Sequence, residues 1–352
     1  MTEPDSGSSL APLADVGELA DTPIARAAQT AVRVRAGRAG DLPHPVGMRV
    51  MCVANQKGGV GKTTTTVNLA ASLALHGLRV LVIDLDPQGN ASTALGIDHH
   101  AEIPSVYDVL VEGNSLAEVV VPVPEIEGLS CAPATIDLAG AEIELVSLVA
   151  RESRLRRAVD AYASARVDSG EPPLDYVLID CPPSLGLLTL NALVAAREVL
   201  IPIQCEYYAL EGLGQLLNNV ELVRAHLNSD LQVSTILLTM YDARTRLAAQ
   251  VADEVRAHFP DTVLHTTIPR SVRVSEAPSY GQTVITYDPG STGALSYLEA
   301  AREIAIRSGE PPTPLAQTGD NPVDGAMNGA THGAGSRVDD GTPGRPTEGQ
   351  ER

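Results

Sequence analysis

The sequence predicts an α/β fold in which a doubly wound, mostly parallel sheet carries helices on both faces. Between residues 46 and 307, short runs rich in β-branched residues alternate with longer segments of helical periodicity. This alternation is typical of parallel sheets, because parallel strands need crossover connections and helices usually supply them. A glycine-rich segment, residues 55–64, separates the first strand from the first helix. Ligands of such sheets bind beyond the carboxyl ends of the strands, so we expect the functional residues there.

The hydrophobic pattern places five strands and five helices in this region. The predicted strands are residues 49–54, 79–84, 176–180, 199–204 and 233–240. The predicted helices are residues 63–75, 138–162, 187–196, 211–227 and 247–259.

The two ends of the chain differ in composition from its middle. Residues 1–45 are rich in Ala, Pro, Gly, Ser and Asp, and residues 308–352 contain few large apolar side chains. Segments of this kind bury too little apolar surface to offset the entropy lost on folding. We therefore expect a flexible N-terminal extension (1–45), one folded domain (46–307) and a disordered C-terminal tail (308–352).

Composition argues against several classes of protein. The chain has 352 residues, of which 44% are hydrophobic and 20% charged, so it can bury a sizeable core. Its four cysteines (Cys52, Cys131, Cys181 and Cys205) form no C-x-x-C pair, which argues against a disulfide framework or a structural zinc site. We find neither a secretion signal nor an apolar run of about 18 residues. The expected location is the cytoplasm, without membrane insertion.

Lysine usage marks one site. The chain contains 23 arginines but only two lysines, Lys57 and Lys62, and both lie in the glycine-rich segment. Lysine is a compact ammonium on a flexible stem, which fits a narrow phosphate cradle better than the planar fork of arginine. The two lysines therefore indicate a phosphate site.

The segment itself has the pattern of a polyphosphate-binding loop. Asn55-Gln-Lys-Gly-Gly-Val-Gly-Lys-Thr-Thr64 follows a predicted strand and enters a predicted helix. Successive glycines let backbone N–H groups face one anion, and the helix N-terminus adds its positive dipole end. In this geometry Lys62 reaches the β- and γ-phosphates, and the hydroxyl of Thr63 takes a position on Mg²⁺.

The loop closely resembles the signature-lysine Walker A loop, K-G-G-x-G-K-T-T, of the ParA/MinD/iron-protein superfamily of dimerising P-loop ATPases. The ordinary loop has glycine where this chain has Gln56, and Lys57 is an addition to it. In that superfamily the signature lysine crosses the dimer interface to the partner's nucleotide, so the resemblance gives Lys57 this role. The implied nucleotide contacts are Lys57, Gly58, Gly59, Val60, Gly61, Lys62, Thr63 and Thr64.

Three carboxylates lie at the ends of two further predicted strands. Asp84 and Asp86 end one strand, and their alternation puts both side chains on the same face. Asp180 ends another and has the position of a Walker B aspartate, which would hold Mg²⁺ through water. The resemblance implies that Asp86 orients or activates the attacking water and that Asp84 is a second carboxylate on the Mg²⁺ side. Cys181, beside Asp180, is better explained as a small apolar residue of the core.

The resemblance narrows further to the ParA/Soj-type chromosome-partitioning ATPases. It is carried by residues 84–90, 181–190, 204–214, 238–244 and 268–281, and it spans about residues 49–305. It implies an ATPase that uses ATP and Mg²⁺, forms an ATP-dependent homodimer and binds double-stranded DNA without sequence preference. A ParB-type centromere-binding partner would stimulate its slow hydrolysis, and the protein would associate with the nucleoid. The resemblance also places Met240 and Pro269 near the adenine base.

Arginines are concentrated in one part of this acidic chain. The net charge is −19, yet residues 244–275 contain five arginines against three acidic residues. The resemblance matches Arg244 and Arg273 to residues that contact DNA phosphates, and Arg246 and Arg270 could add to them. Arginines in ordinary surface ion pairs are the alternative reading. A second alternative places DNA on the basic N-terminal segment around residues 26–38.

Other functions share the loop. A MinD-like ATPase that cycles on a membrane or polar scaffold would need an amphipathic C-terminal helix, and residues 308–352 show no such pattern. An iron-protein reductase would need two cysteines per subunit that share a cluster, but neither Cys131 nor Cys181 has a recognisable ligand motif. A phosphotransferase remains open, and so does a nucleotide-gated DNA scaffold whose slow hydrolysis only resets it.

Overall fold

Strands and helices alternate along the chain, as the sequence predicted. The structure, a computed structural model, describes residues 40–206 and 209–307 together with Gln29, Val32 and Val34. Its strands are β1 (Arg49–Val53), β2 (Val80–Asp84), β3 (Val121–Pro122), β4 (Leu129–Ala132), β5 (Tyr176–Asp180), β6 (Glu198–Gln204), β7 (Gln232–Tyr241) and β8 (Val263–Pro269). Its α-helices are α1 (Lys62–Leu75), α2 (Asn90–Ala94), α3 (Leu138–Glu144), α4 (Arg154–Asp168), α5 (Leu187–Ala195), α6 (Ala209–His226), α7 (Arg246–His258), α8 (Val272–Glu276), α9 (Val284–Tyr287) and α10 (Thr292–Arg307).

All eight strands of the described residues form one sheet in the order β3-β4-β2-β5-β1-β6-β7-β8. Every neighbouring pair is parallel except β3 with β4 at one edge. The predicted doubly wound, mostly parallel fold is confirmed. The five predicted strands are present, whereas β3, β4 and β8 were missed. β3 and β4 are short, and the exposed His265 and half-buried threonines of β8 weaken its apolar pattern.

Apolar side chains cover both faces of the sheet. On β1, Val50 and Cys52 belong to one buried cluster, while Met51 and Val53 belong to a second cluster on the opposite face. Helices α3 to α7 contribute to the first cluster, and α1, α2, α9 and α10 to the second. Because both faces are buried, the central strands read as continuous apolar runs.

Helix α1 is buried almost all the way round. From Thr65 to Leu75 every residue is buried, and small residues such as Ala70, Ala71 and Ser72 let the helix pack closely against the sheet and α10. This close packing holds the beginning of α1 at a fixed position beside β1. The loop that precedes α1 therefore starts and ends on rigid elements.

The predicted helix 138–162 is wrong as a single element. The structure breaks it into α3, two short 3₁₀ turns and α4, with Ala150 at φ 52° between the turns. Tertiary hydrogen bonds favour the break, because Asn191 of α5 donates to the carbonyl of Arg151 and accepts from the N–H of Leu155. Periodicity along the segment could not show that a side chain of another helix binds its backbone.

Part of the predicted flexible extension packs against the domain. The N–H of Leu42 donates to the carbonyl of His76, and the side chains of Leu42 and Val34 are buried in the second cluster. His44 Nδ1 lies 2.8 Å from Asp175 Oδ1. Residues 40–45 thus differ from the prediction, since burial of apolar side chains stabilises them. The remainder of the extension and the predicted tail 308–352 lie outside the described residues, as does most of the basic segment 26–38.

Within the part of the chain that the structure describes, no helix is both long enough and apolar enough to cross a membrane.

Candidate functional site

The carboxyl ends of three central strands meet at one edge of the sheet. β2 and β5 pair Asp84 with Asp180, and β1 and β5 pair Val53 with Asp180. The strands therefore end at the same level, and the predicted phosphate loop leaves β1 beside both aspartates. The structure brings the loop, Asp84 and Asp180 together, as the fold prediction required.

The loop is held by hydrogen bonds to strands β6 and β7. Asn55 Nδ2 donates to the carbonyl of Pro202 at 2.8 Å, and Thr239 Oγ1 donates to the carbonyl of Val60 at 2.8 Å. Gly59 and Gly61 have φ values of 75° and 91°, which side chains rarely tolerate. Both glycines are thus required by the backbone of the loop.

Lys62 is a buried cation with a weak partner. Lys62 is 7% exposed, and among the described residues its Nζ donates only to the carbonyl of Lys57, at 3.4 Å. Burial lowers the pKa of Lys62, while the carboxylate of Asp180 acts in the opposite direction. Nearby, Gln56 Nε2 is buried without a hydrogen-bond partner in the described structure. Two buried nitrogen donors with little to bind fit an anionic ligand in this loop.

Two threonine hydroxyls donate hydrogen bonds to Asp180, one of the residues predicted to hold Mg²⁺. Thr63 Oγ1 donates to Asp180 Oδ2 at 2.7 Å, and Thr66 Oγ1 donates to Asp180 Oδ1 at 3.2 Å. Asp180 is fully buried, and this desolvation, with the nearby charge of Asp84, raises its pKa to about 8. A carboxylate with a raised pKa beside a hydroxyl is suited to a divalent cation, which would supply the missing positive charge.

Asp84 and Asp86 have different surroundings. Asp84 is fully buried and accepts hydrogen bonds from Ser92 N (2.8 Å), Ser92 Oγ (2.7 Å) and Asp86 N (3.2 Å). Burial raises the pKa of Asp84 to about 6. Asp86 is 8% exposed, and the N–H of Gln88 donates to its Oδ1 at 3.0 Å. Asp84 thereby holds the backbone on which Asp86 is carried, and its metal role stays a prediction.

The signature lysine forms an ion pair with a residue outside its own loop. Lys57 Nζ lies 2.8 Å from Glu206 Oε2, and Gln204 donates a hydrogen bond to the other oxygen of Glu206. The side chain of Lys57 is 37% exposed, in contrast to the buried Lys62. The two lysines therefore have different surroundings, and their roles toward a nucleotide stay predictions.

The remaining predicted nucleotide contacts lie around the same edge. Gly58 is exposed, Val60 is buried, and the carbonyl of Thr64 accepts a hydrogen bond from Asn68. Met240, the last residue but one of β7, has φ 50°, a strained value for a residue with a side chain. Pro269, at the end of β8, pairs with the residue after Met240, which brings both predicted adenine contacts onto neighbouring strands.

The four predicted DNA contacts lie beyond the ends of β7 and β8. Arg244 is 88% exposed and forms a two-bond pair with Asp242, at 2.9 Å and 2.8 Å. Arg273 lies 3.2 Å from Glu276 and 3.4 Å from Asp288. Arg246 and Arg270 are exposed and form no side-chain ion pair within the described residues. All four follow the carboxyl ends of β7 and β8 in the sequence, and two of them have carboxylate partners.

Sequence reasoning missed several residues of the site. Thr66 lies one helical turn after Thr63, so a periodicity of three or four residues along α1 could have indicated it. Glu206 lies within the recognised segment 204–214 without a role of its own. Asp242, Glu276 and Asp288 lie outside residues 244–275, the range in which the arginines were counted. When that range is widened to residues 242–288, five arginines face six carboxylates.

The cysteines take no part in the site. All four are free and buried. A hydrogen bond with Cys52 and burial raise the pKa of the Cys181 thiol, which disfavours the reactive thiolate. Within the described residues, no three His, Cys, Asp or Glu side chains are grouped so that they could hold a metal ion by themselves.

Comparison with known proteins agrees with this geometry. The model of the AAA domain family matches residues 48–233. The chain is 54% identical over 257 residues to sporulation initiation inhibitor protein Soj of Bacillus subtilis, covering 73% of this chain and 98% of that protein. It is 50% identical over 260 residues to chromosome partitioning protein ParA of Caulobacter vibrioides, covering 74% of this chain and 95% of that protein.

Solved structures share the fold. A chain described as cobyrinic acid a,c-diamide synthase from Mycobacterium smegmatis, with ADP and magnesium bound, has a TM-score of 0.63 and 38% identity over 76% of this chain and 98% of its own length. The cell division ATPase MinD of Pyrococcus furiosus has a TM-score of 0.59 and 24% identity over 73% of this chain and 98% of its own. The second likeness concerns the fold alone. From its domain match and its relatives, the chain belongs to the Soj/ParA family of chromosome-partitioning ATPases.

Proposed function

We propose that this protein binds ATP and Mg²⁺ in the loop of residues 57–64, pairs with a second copy through that edge, and in this dimeric form holds double-stranded DNA without sequence preference. Hydrolysis, stimulated by a ParB-type partner, ends the DNA-bound state. The observation that carries the proposal is the difference in burial and contacts between the two lysines. Lys62 is buried beside the backbone of its own loop, while Lys57 is partly exposed and pairs with Glu206, outside the loop.

The chemistry of the loop supports ATP with Mg²⁺. Lys62 would compensate the charge of the β- and γ-phosphates, and Thr63 and Asp180 would hold the cation, directly and through water. Bound Mg²⁺ neutralises charge that develops on the transferred phosphoryl group. Asp86, whose carboxylate accepts only one hydrogen bond in the described structure, is free to orient the attacking water. The Mycobacterium smegmatis neighbour, with ADP and magnesium bound, supports the assignment.

Exposed apolar side chains in two segments of the chain support a dimer. Ile143 is 80% exposed, Val149 is 87% exposed and Leu185 is 42% exposed. Leu185 follows β5, the strand beside β1, whereas Ile143 and Val149 lie between β4 and β5 in the sequence. Exposed apolar surface of this kind is suited to contact with another protein surface. A second copy would bring its own Lys57 to the nucleotide of the first.

Gly58 offers a sharp test of the dimer. A Cβ built on Gly58 meets nothing within 4 Å, and its φ is not positive, so Gly58→Val should fold normally as a monomer. We expect the variant to bind ATP but to stay monomeric in light scattering, because the branched side chain would lie between two approaching backbones. Gly47→Val is the matched control, since Gly47 has the same freedom but precedes β1 at the opposite edge. A Gly58→Val dimer formed with ATP would contradict the proposed interface.

DNA binding with ATP is the direct test of the whole proposal. Binding of the full-length protein to random-sequence duplex would be measured with ATP, with ADP and without nucleotide, each with Mg²⁺. We expect tight, salt-sensitive binding with ATP alone and equal affinity for unrelated sequences. The ATP-bound protein would then associate with the nucleoid in the cytoplasm. Affinity that does not depend on nucleotide would refute the proposal, and ATP-dependent binding to anionic vesicles instead of DNA would support the MinD-like alternative.

A further inference from the structure

We propose that the carboxylates of Asp242, Glu276 and Asp288 occupy the phosphate-binding groups of Arg244 and Arg273 and thereby limit how tightly DNA is held. The inference rests on the proposed DNA binding and adds a regulator to it. Each arginine must exchange a carboxylate of its own chain for a DNA phosphate. The acidic residues therefore act as competitors built into the surface.

Asp242 engages Arg244 in the way that a phosphate would. Arg244 Nε donates to Asp242 Oδ1 at 2.9 Å, and a terminal nitrogen of Arg244 donates to Asp242 Oδ2 at 2.8 Å. Such a two-bond arrangement uses the same fork of donors that recognises a phosphate. Because the Arg244 side chain is 88% exposed, DNA can reach it, yet its strongest donors are already in use.

Arg273 is held by two carboxylates from different elements. Glu276 lies one turn further along α8, and Asp288 follows α9. Their oxygens are 3.2 Å and 3.4 Å from the guanidinium nitrogens. A phosphate that binds Arg273 therefore comes within a few ångströms of two like charges.

The other two arginines provide an internal comparison. Arg246 and Arg270 form no side-chain ion pair within the described residues, so their donors are available. Hydrogen bonds from Arg244 lower the pKa of the Asp242 carboxyl, and the nearby charge of Arg270 adds to this effect. Arg246 should therefore contact DNA without competition, whereas Arg244 and Arg273 contribute less than their exposure suggests.

The charge of the surface has the same consequence. Residues 242–288 contain five arginines and six carboxylates, so the surface as a whole is not positive. Exposed ion pairs are weak, which lets phosphate replace the carboxylate, but the displaced carboxylate stays nearby and repels the DNA. The arrangement gives a DNA contact that forms and breaks easily.

Asp242→Asn tests the inference most cleanly. The backbone N–H of Arg244 donates to Asp242 Oδ1 at 3.1 Å, and the amide oxygen of asparagine can keep this bond while the negative charge is lost. With ATP and Mg²⁺, we expect the Kd for random duplex to fall about three- to ten-fold, because each dimer loses two competing carboxylates. The double variant Glu276→Gln/Asp288→Asn should give a gain of similar size through Arg273.

Two controls separate the local effect from a change in net charge. Asp230→Asn makes the same change at the opposite end of β7, where the exposed Asp230 has no arginine partner within the described residues. We expect less than about a 1.5-fold effect from it. In an Arg244→Ala background, Asp242→Asn should lose most of its gain, because the main target of the competitor is then absent and only the weaker interaction with Arg270 is relieved.

The outcomes distinguish a failure of the proposed competition from a failure of the proposed DNA binding. If Arg244→Ala weakens DNA binding while Asp242→Asn changes affinity no more than Asp230→Asn does, the competition is refuted and the proposed DNA surface stands. A gain from Asp242→Asn that persists in full in the Arg244→Ala background would also refute competition at Arg244. Absence of ATP-dependent DNA binding in the wild type and every variant would overturn the proposed function and this inference with it.

Discussion

The phosphate loop and the arginine surface lie at the same edge of the sheet, yet they hold their charges in opposite ways. Lys62 is 7% exposed and Asp180 is fully buried, each fixed by neighbours from the central strands and α1. Arg244, in contrast, is 88% exposed and pairs with a residue only two positions away. Charges of the loop are fixed by surrounding hydrogen bonds, whereas those of the arginine surface form exposed ion pairs. The difference suits the proposed tight binding of nucleotide and the proposed reversible contact with DNA.

Removal of the buried lysine should have the largest effect. Lys62→Ala leaves the phosphates of ATP without their buried counter-charge, which we expect to cost about 3–5 kcal/mol, or on the order of 10²–10⁴-fold in affinity. Titration calorimetry with ATP and Mg²⁺ measures the loss.

Two controls accompany this variant. The free energy of unfolding without nucleotide should not fall, since burial lowers the pKa of Lys62 and its charge is a cost to the empty protein. Arg244→Ala should leave ATP affinity within about two-fold if the two regions bind different ligands. If Lys62→Ala left ATP affinity unchanged, the loop would not bind phosphate through this buried charge, and the contrast with the arginine surface would be refuted.

Loss of Asp86 should separate turnover from assembly. We expect Asp86→Ala to lower kcat by about 100-fold, because the carboxylate is proposed to act on the attacking water, while the complex with ATP persists. Phosphate release and DNA binding would be measured on the same preparation. The variant should remain on DNA with ATP longer than the wild type does.

Asp84→Asn is the informative companion of Asp86→Ala. Asp84 accepts three hydrogen bonds from Ser92 and Asp86, so its replacement should lower the free energy of unfolding by about 1–3 kcal/mol. Asp86→Ala should have little effect on unfolding. Equal loss of stability in the two variants would indicate that Asp86 is structural as well.

Asp180 should make the nucleotide-free protein less stable as pH rises. Its pKa is raised from 3.8 to about 8 by burial, so between these values the folded state keeps a proton that the unfolded state has released. Raising the pH through this range therefore favours unfolding, by up to about 1.4 kcal/mol per pH unit, and the loss ends above pH 8. Urea denaturation in the absence of metal would show a flatter pH profile for Asp180→Asn. The same pH slope in both proteins would rule out this assignment.

The two regions also differ in how far the sequence predicts them. Glycine spacing, strand ends and the two lysines predicted the loop and its aspartates, because each of these residues is constrained by local backbone geometry. The partners of the arginine surface are harder to predict. Asp288 lies 15 residues after Arg273, and the two side chains meet because the chain folds back between α8 and α9. The break after Ala150 likewise depends on Asn191, a residue of another helix. Partners brought together by tertiary packing leave no periodic signal.

The salt dependence of DNA binding tests the central claim, that an acidic protein holds DNA through arginines at the ends of β7 and β8. Binding to random duplex with ATP and Mg²⁺ would be measured over a range of salt concentrations for the wild type and Arg244→Ala. Each dimer loses two equivalent phosphate contacts, so the account predicts uniformly weaker binding to every sequence and a slope of log K against log salt that is smaller by about 2. An unchanged slope, together with loss of binding when residues 1–45 are deleted, would contradict it and assign DNA to the N-terminal segment.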